Sequence, residues 1–436
     1  MRETLINNFL RISSIPRKTG NEKEISDFFV DIAKNNNLEY YQDEYYNVLI
    51  KKKGNTNGEP ICLQSHLDMV CVKTNNSNHD FNKDGIDVII NGNKVSAKDT
   101  SLGADQGVGL AIMLTLIESN NYIHPDLEFF FTVEEETTFK GVINFDYTKL
   151  ESKQLINLDN CDDTTVVIGS AGDYVNKYTY KSNLTKKDLP SYKVVIDGYK
   201  NGNSGENIEA SKDNAIYEMA RSIKDKEVYI KSINGGNFEN DLAASCEAII
   251  QTGLSINDIF KNNAKVSVIE NDESFSKEDT NNIVNEILSL EGGYFSKTGS
   301  CNLGLISTNN NEINILYLIR STSLSEIDQK SEDTKKLNYN FECSLLYKDS
   351  IWEPNKDSKL LNKYKEVYYG LYHEYPKETI CQGGVEAGSI KKRTQNMDAI
   401  SFGANMENIH SVDETTYISS WEKIYNLLIE VFKKDC

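Results

Sequence analysis

No stretch of the chain approaches the ~20 consecutive apolar residues needed to span a bilayer. The opening MRETLINNFLRISSIPRKTG lacks an apolar core of signal-peptide length. Cysteines are thinly spread: eight, at positions 62, 71, 161, 246, 301, 343, 381 and 436, with no C-x-x-C pair among them. That pattern argues against a disulfide scaffold or a thiolate zinc site and for reduced thiols. Basic residues are in deficit, 47 Lys+Arg against 66 Asp+Glu, for a formal net charge of −19. Nucleic acid, which needs a basic face, is not an expected partner. Tandem repeats and long low-complexity tracts are absent as well. Together these shortages predict a cytoplasmic protein with neither a membrane nor a nucleic-acid partner. Histidine is scarcest, with five residues: His66, His79, His124, His373 and His410. Few imidazole ligand combinations are therefore possible.

What is present is enough for two cores. A chain of 436 residues with 39% hydrophobic content exceeds one ordinary domain. Ile25, Phe28, Phe29 and Ile32 share one face of a helix predicted over Asn21–Lys34. Strands are predicted at Val48–Ile50, Ile61–Gln64, Leu127–Val133 and Leu155–Leu158, and SLGADQGVGLAIMLTLIES reads as a loop entering a helix. Alternation of strands and helices predicts an α/β layer domain. From about Leu184 the character changes: strands at Lys193–Ile196, Ala264–Ile269 and Ile313–Ile319 alternate with helices at Asn214–Lys224 and Asp279–Leu290. We read this as an inserted domain over 185–350, after which the first domain (1–184 plus 351–436) resumes with helices at Ser358–Tyr369 and Ser419–Lys433.

The chemistry-bearing residues sit where predicted strands end. His66 follows an apolar strand in LQSHLDMV, with Asp68 two residues on. In extended chain, residues i and i+2 point the same way, so Asp68 can orient the His66 ring. Asp105 lies in SLGADQG between Gly103 and Gly107; alone it would read as a helix cap. FFFTVEEET ends an apolar strand with three consecutive acids, a cluster that calls for neutralising cations unless it is simply an exposed turn. Of that run, Glu135 and Glu136 can divide labour, one binding metal and one taking a proton. Asp159 stands at the exit of the strand in LINLDN, and His410 in the late loop GANMENIHSVDE.

Strand-H-x-D, G-A-D-x-G, T-V-x-E-E, N-L-D and a late F-G…H-S-x-D-E, in this order, resemble the aminoacyl-histidine dipeptidases of the di-zinc aminoacylase, carboxypeptidase and carnosinase superfamily. The resemblance spans nearly the whole chain, including ISSIPRKTGNEKEISDFF, QDEYYNVLIKKKG and GSAGD. It implies a discontinuous α/β catalytic domain, a mixed sheet flanked by helices, with an inserted α+β lid or dimerisation-type domain. It implies a metal-dependent dipeptidase with two divalent metal ions, zinc or else manganese or cobalt. One metal would take His66 and Asp159, the other Glu136 and His410, with Asp105 bridging. Two dications against three carboxylates and a bridging hydroxide leave the core neutral. Glu135 would be the general base, with Asp68 behind His66. The resemblance places Arg320 (YLIRSTS) near the substrate carboxylate, Asn240 (INGGNFENDLA) in the substrate shell and Glu386 (GGVEAG) facing the substrate amine. A small peptide substrate and a homodimer are implied partners.

Three positions depart from the family pattern. GYKNGNSG has Asn203 where relatives carry a histidine that stabilises the oxyanion. Gln382 replaces a histidine in QGGVEAG, and Glu407 stands where relatives often have a basic residue. Loss of one oxyanion donor typically lowers turnover by about 10²–10³. The departures imply an alternative: another amide substrate such as an N-acyl amino acid, or a weakly active or inactive peptide-binding relative.

Overall fold

The structure, a computed structural model, describes residues 1–205, 207–260, 264–336, 339–348 and 351–434. Two compact units emerge: Met1–Ser170 with Trp352–Cys381 and Val385–Cys436, and Ala171–Ile351 with Gln382–Gly384. The chain leaves the first unit at Ser170 and re-enters at Trp352, and these two residues exchange backbone hydrogen bonds of 3.0 and 3.1 Å. The second unit opens before residue 185 because the strand Gly172–Lys181 pairs with Glu312–Ser321 on one side and Glu342–Lys348 on the other. Residue 350, the expected end of the insertion, lies outside the described residues, as does Cys436. Among the described residues no cysteine is in a disulfide.

The first unit is built on a mixed eight-stranded sheet. Its order is Glu39–Gln42, Val48–Lys52, Leu127–Thr132, Ile61–His66, Gln154–Asn157, Asp398–Ser401, Thr165–Ser170 and Lys377–Cys381. At its centre Ile61–His66 runs parallel to both Leu127–Thr132 and Gln154–Asn157. These strands read as continuous apolar runs because both of their faces are covered. Side chains alternate across the sheet. Phe129 and Phe131 enter one core with Leu63 and Ile156. Phe130 enters the opposite one with Cys62 and Leu155. The first core takes the apolar faces of the helices Arg2–Ser13, Lys23–Asn35, Ala104–Glu118, Lys359–Tyr372 and Ile418–Lys433. The second is closed by Trp352 and by Ala387 and Ile390 of the helix Glu386–Arg393.

The helix predicted over Asn21–Lys34 forms as Lys23–Asn35. Arg2–Ser13 carries its buried residues at Leu5, Phe9 and Ile12, the i, i+4, i+7 spacing of a helical face, which the sequence reading left unassigned. A small four-stranded sheet joins Val88–Asn91 and Lys94–Ala97 to Thr415–Tyr417 and Met406–Glu407.

The second unit carries a nine-stranded antiparallel sheet, a separate pair of short strands, Thr185–Lys186 with Glu273–Ser274, and its own core. The expected strands form within Ser191–Ile196, Ala264–Ile269 and Glu312–Ser321. Of its helices, Ala215–Ile223 starts where the Asn214 side chain accepts from the backbone N–H groups of Ile216 and Tyr217. Lys277–Ser289 starts at a reciprocal Ser276–Asp279 capping box. Tyr178, Tyr317, Ile230 and Ile283 are among the side chains buried between helices and sheet.

Phe29 tests the docking of Lys23–Asn35, since it is fully buried and its ring stacks on Phe131 at 4.0 Å. Truncating a buried phenylalanine costs about 3–5 kcal/mol. Phe29→Ala should therefore shift the urea midpoint to lower concentration at unchanged slope. A shift below about 1 kcal/mol would mean that this side chain lacks the packing described.

Candidate metal centre

Three parallel neighbours deliver the site. Ile61–His66 ends in His66 itself; Glu135 and Glu136 follow Leu127–Thr132; Asp159 follows Gln154–Asn157. Carboxyl ends of adjacent parallel strands are where open α/β sheets place their ligands. The loops after two other elements complete the group. Asp105 comes from the turn entering Ala104–Glu118, and His410 from the loop between Met406–Glu407 and Thr415–Tyr417.

Asp105 stands between the two imidazoles. Its Oδ1 is 3.5 Å from His66 Nε2 and its Oδ2 is 3.4 Å from His410 Nε2. Glu136 Oε2 lies 3.1 Å from His410 Nε2, and Glu135 Oε2 lies 3.8 Å from His66 Nε2. Two sets of ligand atoms converge to within 4.8 Å: His66 with Glu135 and Asp159, and His66 with Asp105 and Glu136. Nε2 of His66, Nε2 of His410 and Oε1 of Glu136 are buried, and among the described residues none makes a hydrogen bond of acceptable geometry. Buried polar atoms are normally satisfied, so these orphans point at something else. Imidazole nitrogens and carboxylate oxygens at this spacing suit divalent transition metals. The donor set fits a pair of such ions.

Electrostatics agree. Burial, then the charge of Asp159, pushes Glu135 well above the usual carboxylate range. Burial and then Asp105 raise Asp159 to about 7. Burial by itself would lower His410, yet the nearby carboxylates of Asp105 and Glu136 carry it up to about 11. Burial would raise Asp105, but His410 and His66 hold it far below its ordinary value. Without cations this cluster is balanced only by protons shared among acids and imidazoles.

Asp68 is fully buried, and its Oδ1 lies 3.3 Å from His66 Nδ1. It does more than orient that ring. Its oxygens also accept from the backbone N–H groups of Glu135 (3.1 Å) and Glu136 (3.2 Å) and from Thr19 Oγ1 (2.9 Å). One carboxylate thus ties the His66 strand end to the acidic turn. Glu134, the third acid of the run, points elsewhere and pairs with Lys140 at 2.9 Å.

Several participants escaped the sequence reading. Gln106 Nε2 donates to Asp159 Oδ1 (2.7 Å) and to Asp105 Oδ1 (3.3 Å), and its Oε1 accepts from Ser65 Oγ (3.2 Å). Arg17, buried, donates to the carbonyls of Leu67 (3.1 Å), Asp68 (2.6 Å) and Gly103. Gly103 takes φ +66, and a Cβ there would meet Arg17 Nη2 at 2.6 Å and Met69 Sδ at 2.8 Å, so glycine is required twice over. Within SLGADQG, only the adjacency of Gln106 to Asp105 offered a sequence signal.

Glu386, at the start of its helix, is completely buried in the first unit. Its Oε2 accepts from Gln64 Nε2 (2.6 Å) and Thr132 Oγ1 (2.7 Å), whereas Oε1 has no hydrogen-bond partner among the described residues. Burial raises its carboxyl to about 8.

The second unit gathers the other expected residues in a cluster of its own. Arg320, expected near the substrate carboxylate, is buried: Nε donates to Asp173 Oδ1 (3.1 Å) and Nη1 to Ser204 Oγ (2.9 Å). Ser204 N–H donates to the Asn240 carbonyl (2.8 Å). Asn203 is exposed and bridges Asp241, and its Oδ1 accepts from Gly205 N–H (2.7 Å). Ser204 therefore links Asn203, Asn240 and Arg320. Gln382 is half-buried and belongs to this unit.

Residues 62–434 match the model of the family described as Peptidase family M20/M25/M40. The cytosol non-specific dipeptidase of Escherichia coli (strain K12) is 27% identical over 468 residues, covering 98% of this chain and 96% of that protein. Among solved structures, aminoacylhistidine dipeptidase from Vibrio alginolyticus superposes with a TM-score of 0.76 at 24% identity, over 99% of this chain and 96% of that one. Aminopeptidase PepT from Bacillus cereus ATCC 10987 gives 0.65 at 15% identity, over 100% and 98%. At these identities the structural likenesses bear on the fold alone.

The buried Glu386 carboxyl makes stability depend on pH. A folded value of about 8, above the ordinary 4.5, means that the protonated form is the one the fold favours. Its contribution is complete below the ordinary value and is lost as pH rises through the folded one. Melting curves across this range should show metal-free wild type losing stability that Glu386→Gln retains, the gap opening toward about pH 8. Parallel profiles would show that this carboxyl is not held protonated.

Proposed function

The chain belongs to peptidase family M20/M25/M40, and from that premise we propose that it is a dipeptidase that works with two divalent metal ions. The observation that carries this reading is the convergence of His66, Asp105, Glu135, Glu136, Asp159 and His410, with orphaned buried nitrogens aimed into the group. His66 and Asp159 would hold one ion, Glu136 and His410 the other, with Asp105 shared. Zinc suits the donors best, with manganese or cobalt as substitutes. When bound, such ions polarise the scissile carbonyl and lower the pKa of water.

The chain's own groups then have distinct tasks. Glu135, 3.8 Å from His66 Nε2, is the general base: it takes a proton from the attacking water and returns it to the leaving amine. Asp68 keeps His66 in the tautomer that leaves Nε2 as an acceptor: Nδ1 lies 3.2 Å from the Asp68 backbone carbonyl and 3.3 Å from its carboxylate. Glu386, with one oxygen satisfied and the other not, is the group proposed to meet the free amine of a small peptide.

On the second unit, Arg320 is proposed to bind the substrate carboxylate. Its support is the fixed guanidinium plane set by Asp173 and Ser204. Asn240 and Asn203 would belong to the same substrate shell. The Asn203 oxygen is engaged by Gly205, so a contribution to an oxyanion would come from its Nδ2. A neutral amide supplies one donor and no positive charge. A homodimer is proposed on the exposed edge strand Ala264–Ile269, where Val268 is 78% exposed. A cytoplasmic location is proposed from the name of the Escherichia coli relative. No helix among the described residues is long and apolar enough to cross a membrane.

Hydrolysis of a dipeptide panel including β-Ala-His and Gly-His should vanish after chelation and return with zinc, manganese or cobalt. Glu135→Gln should abolish it while leaving metal content intact. Two bound metals with no dipeptide hydrolysis, but release of amino acid from an N-acyl amino acid, would move the substrate to that second amide class. Asn203→His should raise turnover by restoring a charged donor, up to about 10²-fold. No gain would show that Asn203 is not the weakened oxyanion group.

A further inference from the structure

Glu414 shares the His410 loop but is not one of the proposed ligands. It is 2% exposed, and its carboxylate is filled by four backbone donors. Oε2 accepts from Leu102 N–H (2.8 Å) and Gly103 N–H (2.9 Å); Oε1 accepts from Ala104 N–H (2.8 Å) and Asp105 N–H (3.3 Å). With each oxygen accepting from two main-chain N–H groups, this carboxylate is not disposed to ligate a metal. The donors are the turn that presents Asp105. That turn departs from helical geometry, with Asp105 at φ −77°, ψ 109° and Gln106 at φ −96°, ψ 23°, and the Gly107 N–H reaches across it to the Gly103 carbonyl (3.1 Å). From the other direction Arg17 grips the carbonyl of Gly103 and, with the same guanidinium, those of Leu67 and Asp68.

We propose that Glu414 is a positioning residue, clamping the Asp105 turn to the His410 loop so that one carboxylate faces both imidazoles. This rests on the metal-dependent reading above. Asp105 Oδ1 and Oδ2 sit at 3.5 and 3.4 Å from His66 and His410, a two-sided arrangement that a small rotation of the turn would break. A four-donor carboxylate resists that rotation more than side-chain packing does, since each charge-assisted bond is directional. The negative charge brought in is offset locally by the four amides.

Glu414→Ala and Glu414→Gln test this in the full chain. In the metal-free protein, Glu414→Ala should speed hydrogen exchange at the Leu102–Asp105 amides. Zinc affinity, by competition with a chromophoric chelator, should fall about 10–100-fold, the range for groups that hold metal ligands in place. Turnover of Gly-His should drop with KM near the wild-type value. Glu414→Gln, keeping one carbonyl oxygen for the same amides, should recover part of each loss, and it carries the comparison if the alanine variant does not fold. Unchanged exchange overturns the clamp. Faster exchange with wild-type zinc affinity overturns its role toward the metals. Wild type that binds no zinc refutes the metal-dependent reading instead, and the exchange rates still decide whether Glu414 clamps the turn.

Discussion

Holding several carboxylates and two imidazoles together away from water is the constraint on which the first unit depends. Burial and mutual repulsion drive Glu135 and Asp159 toward their neutral forms, while the imidazoles are drawn the other way. A cluster of this kind is tolerable only with cations to neutralise it or protons to share within it. Its geometry must also be imposed from outside, because the groups themselves repel. The structure supplies that in three places: Asp68 on the backbone of Glu135 and Glu136, Gln106 between Asp105 and Asp159, and Glu414 with Arg17 on the Asp105 turn.

The sheet makes this possible. Three adjacent parallel strands end at the same level, so His66, the Glu135–Glu136 turn and Asp159 leave the sheet side by side. The rungs continue past the strands, with Leu67 N–H on the Thr132 carbonyl and Leu158 N–H on the Gln64 carbonyl. Strands buried on both faces by Phe129, Phe130 and Phe131 cannot slip by one residue without exchanging their two cores. The rigidity of the apolar layers is thus passed to the polar group at their ends. In the second unit the same logic is smaller in scale, a buried guanidinium oriented by one carboxylate and one hydroxyl.

Much of this was legible in the sequence. Apolar runs ending in H-x-D, E-E and N-L-D marked both the strands and the side chains at their ends, since period-2 burial and chemistry are local properties. The helices Lys277–Ser289 and Ala215–Ile223 were legible for the same reason, their caps and faces being written within a few residues. Arg2–Ser13 was not assigned although its spacing is regular, and the opening of the second unit was set too late. Gly172–Lys181 declares its membership only through partners more than a hundred residues away.

Residue type and spacing by themselves determined which groups could do chemistry, because imidazole and carboxylate are the donors that hard and borderline cations accept, and because their flanks carried the family resemblance. Only the tertiary structure decided which of those groups meet. Asp105 comes to stand between histidines 39 residues upstream-side and far downstream in the chain through two separate loops, not through any local pattern. Gln64, Gln106, Arg17 and Glu414 are ordinary polar residues in sequence. Their roles arise because burial removes water as a partner and leaves each of them one set of backbone or carboxylate groups to satisfy.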